Sequence, residues 1–278
     1  MLSGETGVLL AHHLKTLKLP VFLREYQKIA ARCAKEQGDY ARFLLELAEL
    51  ELIEREKRGT ERRIIEAGFP VRKTLDTFDF TAIPSLNKQL VLELARGEYI
   101  KRIETVLAVG NSGTGKTHIA IALGTMACCE GLRVKFFTAA ALVTALIEAK
   151  DDKSLGRLRK QLARYHLIIV DEFGYVPFSK TGAELLFEFF AERYERSSIF
   201  VTTNLPFEQW TEVLGSERLT GALLDRLTHR VHILESNGES YRFKESARRL
   251  GKKAKTKPEQ AISGNQTTGG LTEVTHTD

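Results

Sequence analysis

The fold is decided by residues 110–117, which read Gly-Asn-Ser-Gly-Thr-Gly-Lys-Thr. An apolar run, Val106 to Val109, precedes this stretch, and a helix-forming run, His118 to Ala127, follows it. Glycines let a backbone curl so that successive N–H groups converge on an anion, and the amino terminus of the following helix adds partial positive charge. The spacing Gly-x-x-x-x-Gly-Lys-Thr between a strand and a helix therefore predicts a P-loop, a cradle for nucleotide phosphates.

The residues of this cradle are predicted to bind ATP together with Mg²⁺. Lys116 is expected to reach the β- and γ-phosphates, and the Thr117 hydroxyl is expected to ligate the metal ion. The alternative, a purely structural glycine-rich turn, does not require the flanking strand and helix. The predicted nucleotide-binding residues are Gly110, Asn111, Ser112, Gly113, Thr114, Gly115, Lys116, Thr117 and His118.

A second motif lies about 55 residues after the P-loop, where the apolar run Leu167 to Val170 ends in Asp171 and Glu172. A buried strand would place Asp171 at its carboxyl end, beside the phosphate cradle, where the carboxylate can hold Mg²⁺ together with Thr117. Glu172 would then polarise a water molecule for in-line attack on the γ-phosphate. This pair is predicted to be a Walker B motif, with Asp171 as a metal ligand and Glu172 as a catalytic residue.

Two further positions are candidates for the hydrolytic site. Asn204 follows the apolar run Ile199 to Thr203, so it would face the γ-phosphate if that strand neighbours the P-loop strand; a turn-forming Asn is the alternative. Arg226 and Arg230 are four residues apart on a predicted helix and share one face. Arginine has the fork geometry that suits phosphate, so a finger reaching ATP in a neighbouring subunit and an intrachain salt bridge are both open.

From Asp76 onward, apolar strands alternate with amphipathic helices. Strands are predicted at Thr105–Val109, Val134–Thr138, His166–Val170, Ile199–Thr203 and Val231–Leu234. Helices are predicted near residues 116–130, 139–149, 180–195 and 217–228. This alternation favours an α/β fold in which helices cover both faces of a parallel sheet.

Residues 8–67, by contrast, show helical periodicity throughout. Gly38-Asp39 separates two apolar series, which contain Leu14, Leu17 and Val21, and then Phe43, Leu44, Leu47, Leu50 and Ile53. The densely charged segment Glu51 to Arg63 is expected to be a solvent-exposed helix face. Because Gly68-Phe69-Pro70 breaks the pattern, we predict an N-terminal helical domain at 1–70 and an ATPase domain at 71–248. A tail that is first basic, then polar and disordered, is predicted at 249–278.

The composition is that of a globular protein, with 43% hydrophobic and 28% charged residues. No apolar run approaches the ~20 residues that span a bilayer, and Met1 to Leu10 lacks the basic start of a secretory signal, so we expect a cytoplasmic protein without a membrane partner. The three unpaired cysteines fit a reducing compartment.

The net charge of +5 arises in residues 244–257, which carry seven Lys or Arg and one Glu. This basic segment is either a solvated tail or an arm that contacts phosphates.

Together these motifs resemble those of the AAA+ ATPases, with Asn204 in the place of sensor 1 and Arg226 in the place of the arginine finger. The resemblance narrows to the IstB family, the transposition helper ATPases of bacterial insertion sequences, which are relatives of the DnaC helicase loader. It covers roughly residues 10–248 and rests on these segments: Ala67-Gly68-Phe69-Pro70, Thr77-Phe78-Asp79-Phe80, Gly115-Lys116-Thr117-His118-Ile119-Ala120, Asp171-Glu172-Phe173-Gly174-Tyr175, Tyr194-Glu195-Arg196, Leu223-Leu224-Asp225-Arg226-Leu227 and Gly238-Glu239-Ser240-Tyr241-Arg242.

This resemblance implies a five-stranded parallel sheet of order 5-1-4-3-2, preceded by a small all-helical domain and without a full helical lid. It implies catalytic roles for Glu172, Asn204 and Arg226. It also implies DNA-stimulated ATP hydrolysis, homo-oligomers on duplex DNA, and delivery of that target DNA to a cognate transposase.

A basic stretch between the second and third strands is the first candidate for DNA contact. Arg157, Lys160 and Arg164 fall near one helical face, which could follow DNA phosphates without reading bases. The alternative is a solvated helix. A second candidate is the N-terminal set of similarly spaced bases, Arg24, Lys28, Arg32 and Lys35. No aromatic residues interleave with these bases, which favours duplex over single-stranded DNA.

Two other functions compete with transposition. A helicase loader would share the ATPase motifs and would grip a replicative helicase through its N-terminal domain. A P-loop enzyme that phosphorylates a small molecule would be a monomer indifferent to DNA, and the Asp171-Glu172 pair followed by Asp225-Arg226 argues against it.

Overall fold

The structure, a computed structural model, describes residues 4–241 and 243. The described helices are α1 (Gly4–Thr16), α2 (Pro20–Lys35), α3 (Tyr40–Ala67), α4 (Lys88–Leu94), α5 (Glu98–Lys101), α6 (Lys116–Cys129), α7 (Ala139–Asp151), α8 (Leu155–Leu162), α9 (Lys180–Arg193), α10 (Trp210–Leu214) and α11 (Glu217–Thr228). The described strands are β1 (Thr105–Val109), β2 (Val134–Thr138), β3 (Leu167–Phe173), β4 (Ser198–Thr203) and β5 (Val231–Glu235).

The five strands form one parallel sheet in the order β2-β3-β4-β1-β5, which confirms the predicted order 5-1-4-3-2. β1 lies between β4 and β5, and Val109 at its end is paired with Thr203. The carboxyl ends of β1, β3 and β4 therefore meet at one edge of the sheet. The P-loop follows β1 there, Asn204 follows β4, and the Walker B pair lies in the last residues of β3.

Two apolar clusters cover the two faces of the sheet, as the uninterrupted apolar strands require. On one face, Ile119 and Leu123 of α6 pack with Ile169 of β3. On the other face, Leu142 of α7 and Leu186 of α9 are fully buried. The α/β fold with helices on both faces is therefore confirmed.

The strand that carries the Walker B pair is longer than predicted. It was expected to end at Val170, but β3 continues to Phe173. Its pairing with β4 shifts register between Val170 and Phe173, and Glu172 within this bulge adopts φ +59°. A bulge adds one residue to one strand of a pair, so the apolar run alone did not reveal the continuation.

The N-terminal region consists of α1, α2 and α3, with the Asp39 side chain accepting the Arg42 N–H at the start of α3. The apolar series of α3 is only partly buried. Leu47 is buried, whereas Leu44 and Ile53 are more than half exposed. Three helices offer too few facing surfaces to cover every apolar side chain of a helix that is 28 residues long.

The charged half of α3 also departs from a fully solvated face. Glu51 is only 3% exposed. Its carboxylate accepts the backbone N–H of Val21 at 2.9 Å and the Arg55 Nε–H at 2.9 Å. Glu51 therefore joins α2 to α3, because a buried carboxylate is stable only when it is hydrogen-bonded and paired.

The end of α3 packs against the sheet domain. Ala67 is fully buried in the apolar cluster that contains α6, and Arg63 Nε donates to the Cys128 carbonyl at 2.8 Å. The boundary predicted at residue 70 stays a prediction, although these contacts tie residues before it to the sheet domain. The basic segment 244–257 and the predicted tail 249–278 lie outside the described residues.

Candidate nucleotide-binding site

The P-loop connects β1 to α6 and turns the first residues of that helix towards a cleft. Gly115, which immediately precedes α6, has φ +85°, a left-handed conformation that favours glycine. A Cβ atom at this position would stand 2.6 Å from Cε2 of Phe78. Glycine is therefore required here by the backbone and by the close approach of the segment before β1.

Lys116 is the buried cation of the loop, with 8% of its surface exposed. Its Nζ donates to the Gly110 carbonyl at 2.6 Å and to the Asn111 carbonyl at 2.7 Å. These bonds hold the ammonium group inside the cradle. A side chain held there needs only local rearrangement to meet phosphate oxygens.

Thr117 and Asp171, the two predicted metal ligands, are in direct contact. The Thr117 hydroxyl donates to Asp171 Oδ1 at 2.9 Å. Asp171 is buried at the end of β3, beside the start of α6. A hydroxyl and a carboxylate are the hard oxygen donors that Mg²⁺ takes, with phosphates and water completing the octahedron, so the residues present fit this ion.

An open cleft of about 420 Å³ lies over the P-loop and collects most of the predicted site residues. Glu172 and Asn204, both exposed, line it together with Lys116. Predicted P-loop residues that line it are Ser112, Gly113, Thr114, Gly115, Lys116, Thr117 and His118. Gly110 and Asn111 lie outside this lining: Gly110 is covered by the backbone of Ser236, and Asn111 Nδ2 donates to the Gly238 carbonyl at 3.3 Å.

His118 joins α6 to the segment before β1. Its Nε2 lies 2.8 Å from the Thr74 carbonyl, so this nitrogen carries the proton, and its ring packs edge-on against Phe78 with centroids 5.2 Å apart. Burial lowers the pKa of His118, with a smaller contribution from the charge of Lys73, while the bond to the Thr74 carbonyl opposes the shift. His118 is therefore predominantly neutral at pH 7, and its imidazole fixes one wall of the cleft.

Sequence reasoning missed two parts of the site. The segment 236–241 after β5 crosses the P-loop: the Tyr241 N–H donates to the Gly113 carbonyl at 3.0 Å, and Tyr241 lines the cleft. Thr202, two residues before Asn204, donates its hydroxyl to Asp171 Oδ1 at 2.5 Å. The polar pair Thr202-Thr203 at the end of an otherwise apolar strand was the available signal for the second part.

Arg226 lies on α11, away from the cleft of its own chain. It lines a separate cavity of about 110 Å³ together with Arg230, and the same cavity includes Thr105 and Ile199, at the amino ends of β1 and β4. Its Nη1 donates to the Ala222 carbonyl at 2.7 Å, and its guanidinium lies 5.0 Å from the centroid of the Phe187 ring. No carboxylate of the described residues pairs with it, so the salt-bridge alternative has no support among them.

The basic helix between β2 and β3 is α8, as predicted. Arg157 and Lys160 are exposed, whereas Arg159 pairs with Glu188 and Glu192 of α9. Arg164 is exposed in the turn after α8 and not on the helix, because the helix ends at Leu162.

The N-terminal bases, the second candidate for DNA contact, are largely neutralised. Arg24 and Lys28 both pair with Glu25, and Arg32 pairs with Glu46. These partners had not been expected from the spacing of the bases alone. The basic residues on and after α8 are therefore the stronger candidate of the two.

A parallel sheet of order 5-1-4-3-2 with a P-loop after β1 and an Asp-Glu pair in β3 defines a P-loop nucleotide-binding protein of the AAA+ type. A model of the family described as "IstB-like ATP binding protein" matches residues 12–249. The chain belongs to this family. No helix of the described residues is long and apolar enough to cross a membrane.

Known proteins agree with this assignment. A Pseudomonas aeruginosa protein of insertion sequence IS21, named as ATP-binding, is 39% identical over 232 residues, which cover 84% of this chain and 88% of that protein. A Geobacillus stearothermophilus protein of insertion sequence IS5376, also named as ATP-binding, is 37% identical over 229 residues, 82% of this chain and 91% of that protein. The fold is similar to that of AMPPCP-bound DnaA from Aquifex aeolicus, with TM-score 0.53, 21% identity, and coverage of 66% of this chain and 56% of that chain.

Proposed function

We propose that this protein is the ATPase helper of a bacterial insertion sequence. It assembles as a homo-oligomer on duplex DNA in the cytoplasm and delivers that DNA to a cognate transposase, and DNA-stimulated hydrolysis of ATP releases the assembly. The membership of the family and the relatives named for insertion sequences support the transposition context.

The observation that carries the ATPase proposal is the contact between the P-loop and the Walker B strand. Thr117 and Asp171 meet at 2.9 Å, and the exposed Glu172 and Asn204 line the same cleft. Binding of a triphosphate and activation of a water molecule need these two groups of side chains on opposite sides of one cleft. The same arrangement would serve little purpose in a protein that only bound nucleotide.

In this mechanism each side chain has one task. Lys116 leaves the carbonyls of its own loop to neutralise the β- and γ-phosphates, while Thr117 and Asp171 hold Mg²⁺, which supplies charge stabilisation when bound. Glu172 accepts a proton from the attacking water, and Asn204 orients that water. Together these residues bind, orient and deprotonate within a cleft that their own backbone preorganises.

The proposal of an oligomer rests on the position of Arg226. It faces a cavity at the end of the sheet opposite the P-loop, so it does not reach the nucleotide of its own chain. If a neighbouring copy places its own P-loop edge against this end of the sheet, the Arg226 guanidinium would lie beside the γ-phosphate that the neighbouring copy binds. Such a head-to-tail interface is heterologous and generates a ring or a helical filament.

The proposed DNA contact is made by Arg157, Lys160 and Arg164. All three are exposed, and none makes an ion pair among the described residues. Arg159, in contrast, is held by two glutamates of α9 and fixes the position of α8. Exposed bases on this anchored helix and in the turn after it can contact phosphates without a preference for sequence.

A helicase loader is the second candidate function, because the ATPase site would serve either activity. The N-terminal helices separate the two functions. They expose apolar side chains such as Val8, Leu45 and Leu52, which a partner protein could cover. Pull-down with the transposase against the replicative helicase of the host discriminates between the two partners.

The function is tested by measuring ATP turnover with and without duplex DNA at several salt concentrations. We expect duplex DNA to stimulate turnover, and binding to weaken steeply as salt rises. Lys160→Ala should reduce the salt dependence of DNA binding by about one counterion. Lys153→Ala serves as the matched control, because Lys153 is an exposed neighbouring residue outside the proposed set. Turnover that ignores duplex DNA at every salt concentration would contradict the proposal.

A further inference from the structure

Thr202 of β4 connects the Asp171 carboxylate to the backbone of Glu172. Its side chain is buried, with 2% exposed. Its hydroxyl donates to Asp171 Oδ1 at 2.5 Å and accepts the backbone N–H of Glu172 at 3.0 Å. A single hydroxyl can donate one bond while it accepts another, so both contacts exist at the same time.

The bulge in β3 explains why a side chain is needed here. Backbone pairing between β3 and β4 runs to Val170 and resumes at Phe173, so Asp171 and Glu172 lie outside the regular register. The partly buried Glu172 N–H would otherwise lack the partner that regular pairing with β4 supplies, and leaving such an N–H without a partner is costly. The Thr202 hydroxyl takes the place of that partner.

Glu172 also has a backbone conformation that a non-glycine residue rarely adopts, with φ +59°. Such a conformation persists only where the surroundings hold it, and it is found preferentially at functional sites. The bond from the Glu172 N–H to Thr202 is the side-chain contact that holds this peptide. Without it, the Glu172 carboxylate would be free to leave the cleft.

The same hydroxyl also restrains Asp171. Thr117 of α6 and Thr202 of β4 both donate to Oδ1. The two bonds fix the rotation of the carboxylate, and among the described residues Oδ2 accepts no hydrogen bond. One oxygen is thus held by the protein, and the other is left for the metal ion and its water.

We propose that Thr202 is a positioning residue that aligns Asp171 with Glu172, so that the metal ligand and the general base act on one nucleotide. The inference rests on the proposed ATPase function and adds a residue to it. Thr202 lines the cleft, but its hydroxyl is engaged by the Asp171 carboxylate and the Glu172 N–H. It acts through Asp171 in holding Mg²⁺ and through Glu172 in activating water.

The test compares Thr202→Val with Thr202→Ser in the full-length protein. Valine keeps the shape and burial of threonine but has no hydroxyl, whereas serine keeps the hydroxyl and loses the methyl group. Thr125→Val is the matched control, because the Thr125 hydroxyl donates only to the Ile121 carbonyl within α6. Turnover, the KM for ATP and the Mg²⁺ concentration for half-maximal activity are measured for each variant.

Thr202→Val is expected to lower kcat by about ten- to hundredfold, the loss that a hydrogen bond to a charged group is worth, while the KM for ATP changes by less than about threefold. The Mg²⁺ requirement should rise several-fold. Thr202→Ser and Thr125→Val should stay near the wild type in both quantities. A wild-type kcat in Thr202→Val would overturn the proposal. Equal losses of kcat in the serine and valine variants would also overturn it, because they would assign the effect to packing of the methyl group.

Binding of a fluorescent ATP analogue, titrated with Mg²⁺, separates this inference from the function on which it rests. If the wild-type protein binds the analogue but hydrolyses no ATP, the proposed function has failed. The Mg²⁺ titration still decides the role of Thr202 in that case. A Mg²⁺ dependence in Thr202→Val equal to that of the wild type would refute the alignment of Asp171.

Discussion

Replacing Gly110 with alanine tests whether the chain after β5 closes over the P-loop as the structure describes. Gly110 has φ +147°, and an added Cβ would stand 2.1 Å from the Ser236 carbonyl oxygen and 2.5 Å from its carbon. Ser236 is fully buried, and its N–H donates to the Val109 carbonyl at 2.8 Å. The obstacle is therefore backbone that is tied to β1 and not the movable end of a side chain.

Two costs add at this position. The backbone conformation costs a non-glycine residue about 1–3 kcal/mol. Relief of the clash with Ser236 costs about 1–3 kcal/mol more, as in other overpacked sites. Gly131→Ala is the matched control, because Gly131 also has a positive φ, +83°, but a Cβ there meets nothing within 4 Å. Its cost is the conformational one alone, about 1–2 kcal/mol.

Thermal and denaturant unfolding of the two variants measure the difference. Since 1 kcal/mol shifts Tm by about 2–4 °C in domains of 150–250 residues, we expect Gly110→Ala to melt at least about 2 °C below Gly131→Ala. ATP binding should also be lost in Gly110→Ala and retained in Gly131→Ala. Equal melting temperatures would refute the packing of Ser236 on the P-loop.

Two further predictions concern other parts of the chain. Glu51→Ala should lower the free energy of unfolding by about 1–3 kcal/mol, because it leaves the buried N–H of Val21 without an acceptor. Urea titration measures this loss. Glu49→Ala, at an exposed site, should be near neutral in the same titration. The pKa of His118 is lowered in the folded state, mainly by burial. The contribution of the neutral imidazole to stability is therefore present above the unfolded pKa of 6.5, and it is lost as the pH falls below that value. The stability of His118→Gln should therefore fall less steeply than that of the wild type between about pH 7 and pH 5. Midpoints of unfolding measured across this range test the expectation, and an unchanged pH profile would contradict it.

Local sequence patterns predicted the sheet domain well where each element is decided by its own residues. The predicted bounds of β1 and β2 agree with the structure, because both strands are rich in β-branched or aromatic residues. The P-loop and the Asp171-Glu172 pair could be found because phosphate and Mg²⁺ chemistry restricts the residue types at fixed spacing. The sheet order came from family resemblance and not from any local pattern.

Contacts between distant segments could not be read from the sequence. The burial of Glu51 depends on Val21 in another helix, and its charge alone predicts exposure. The role of Thr202 depends on a bulge in β3, where Glu172 takes up a left-handed conformation that no local residue requires. The crossing of Tyr241 over Gly113 joins residues far apart in the chain, and only the folded β5 brings them together.

We propose that each ATP site is completed by Arg226 of a neighbouring copy. The most direct measurement is ATP turnover in a mixture of Lys116→Ala and Arg226→Ala, two variants that are each expected to be nearly inactive. In a 1:1 mixture, about a quarter of the interfaces combine an intact P-loop with an intact guanidinium, so turnover should recover to about a quarter of the wild-type rate per site. A mixture as inactive as its components, or full turnover by Arg226→Ala alone, would contradict a shared site.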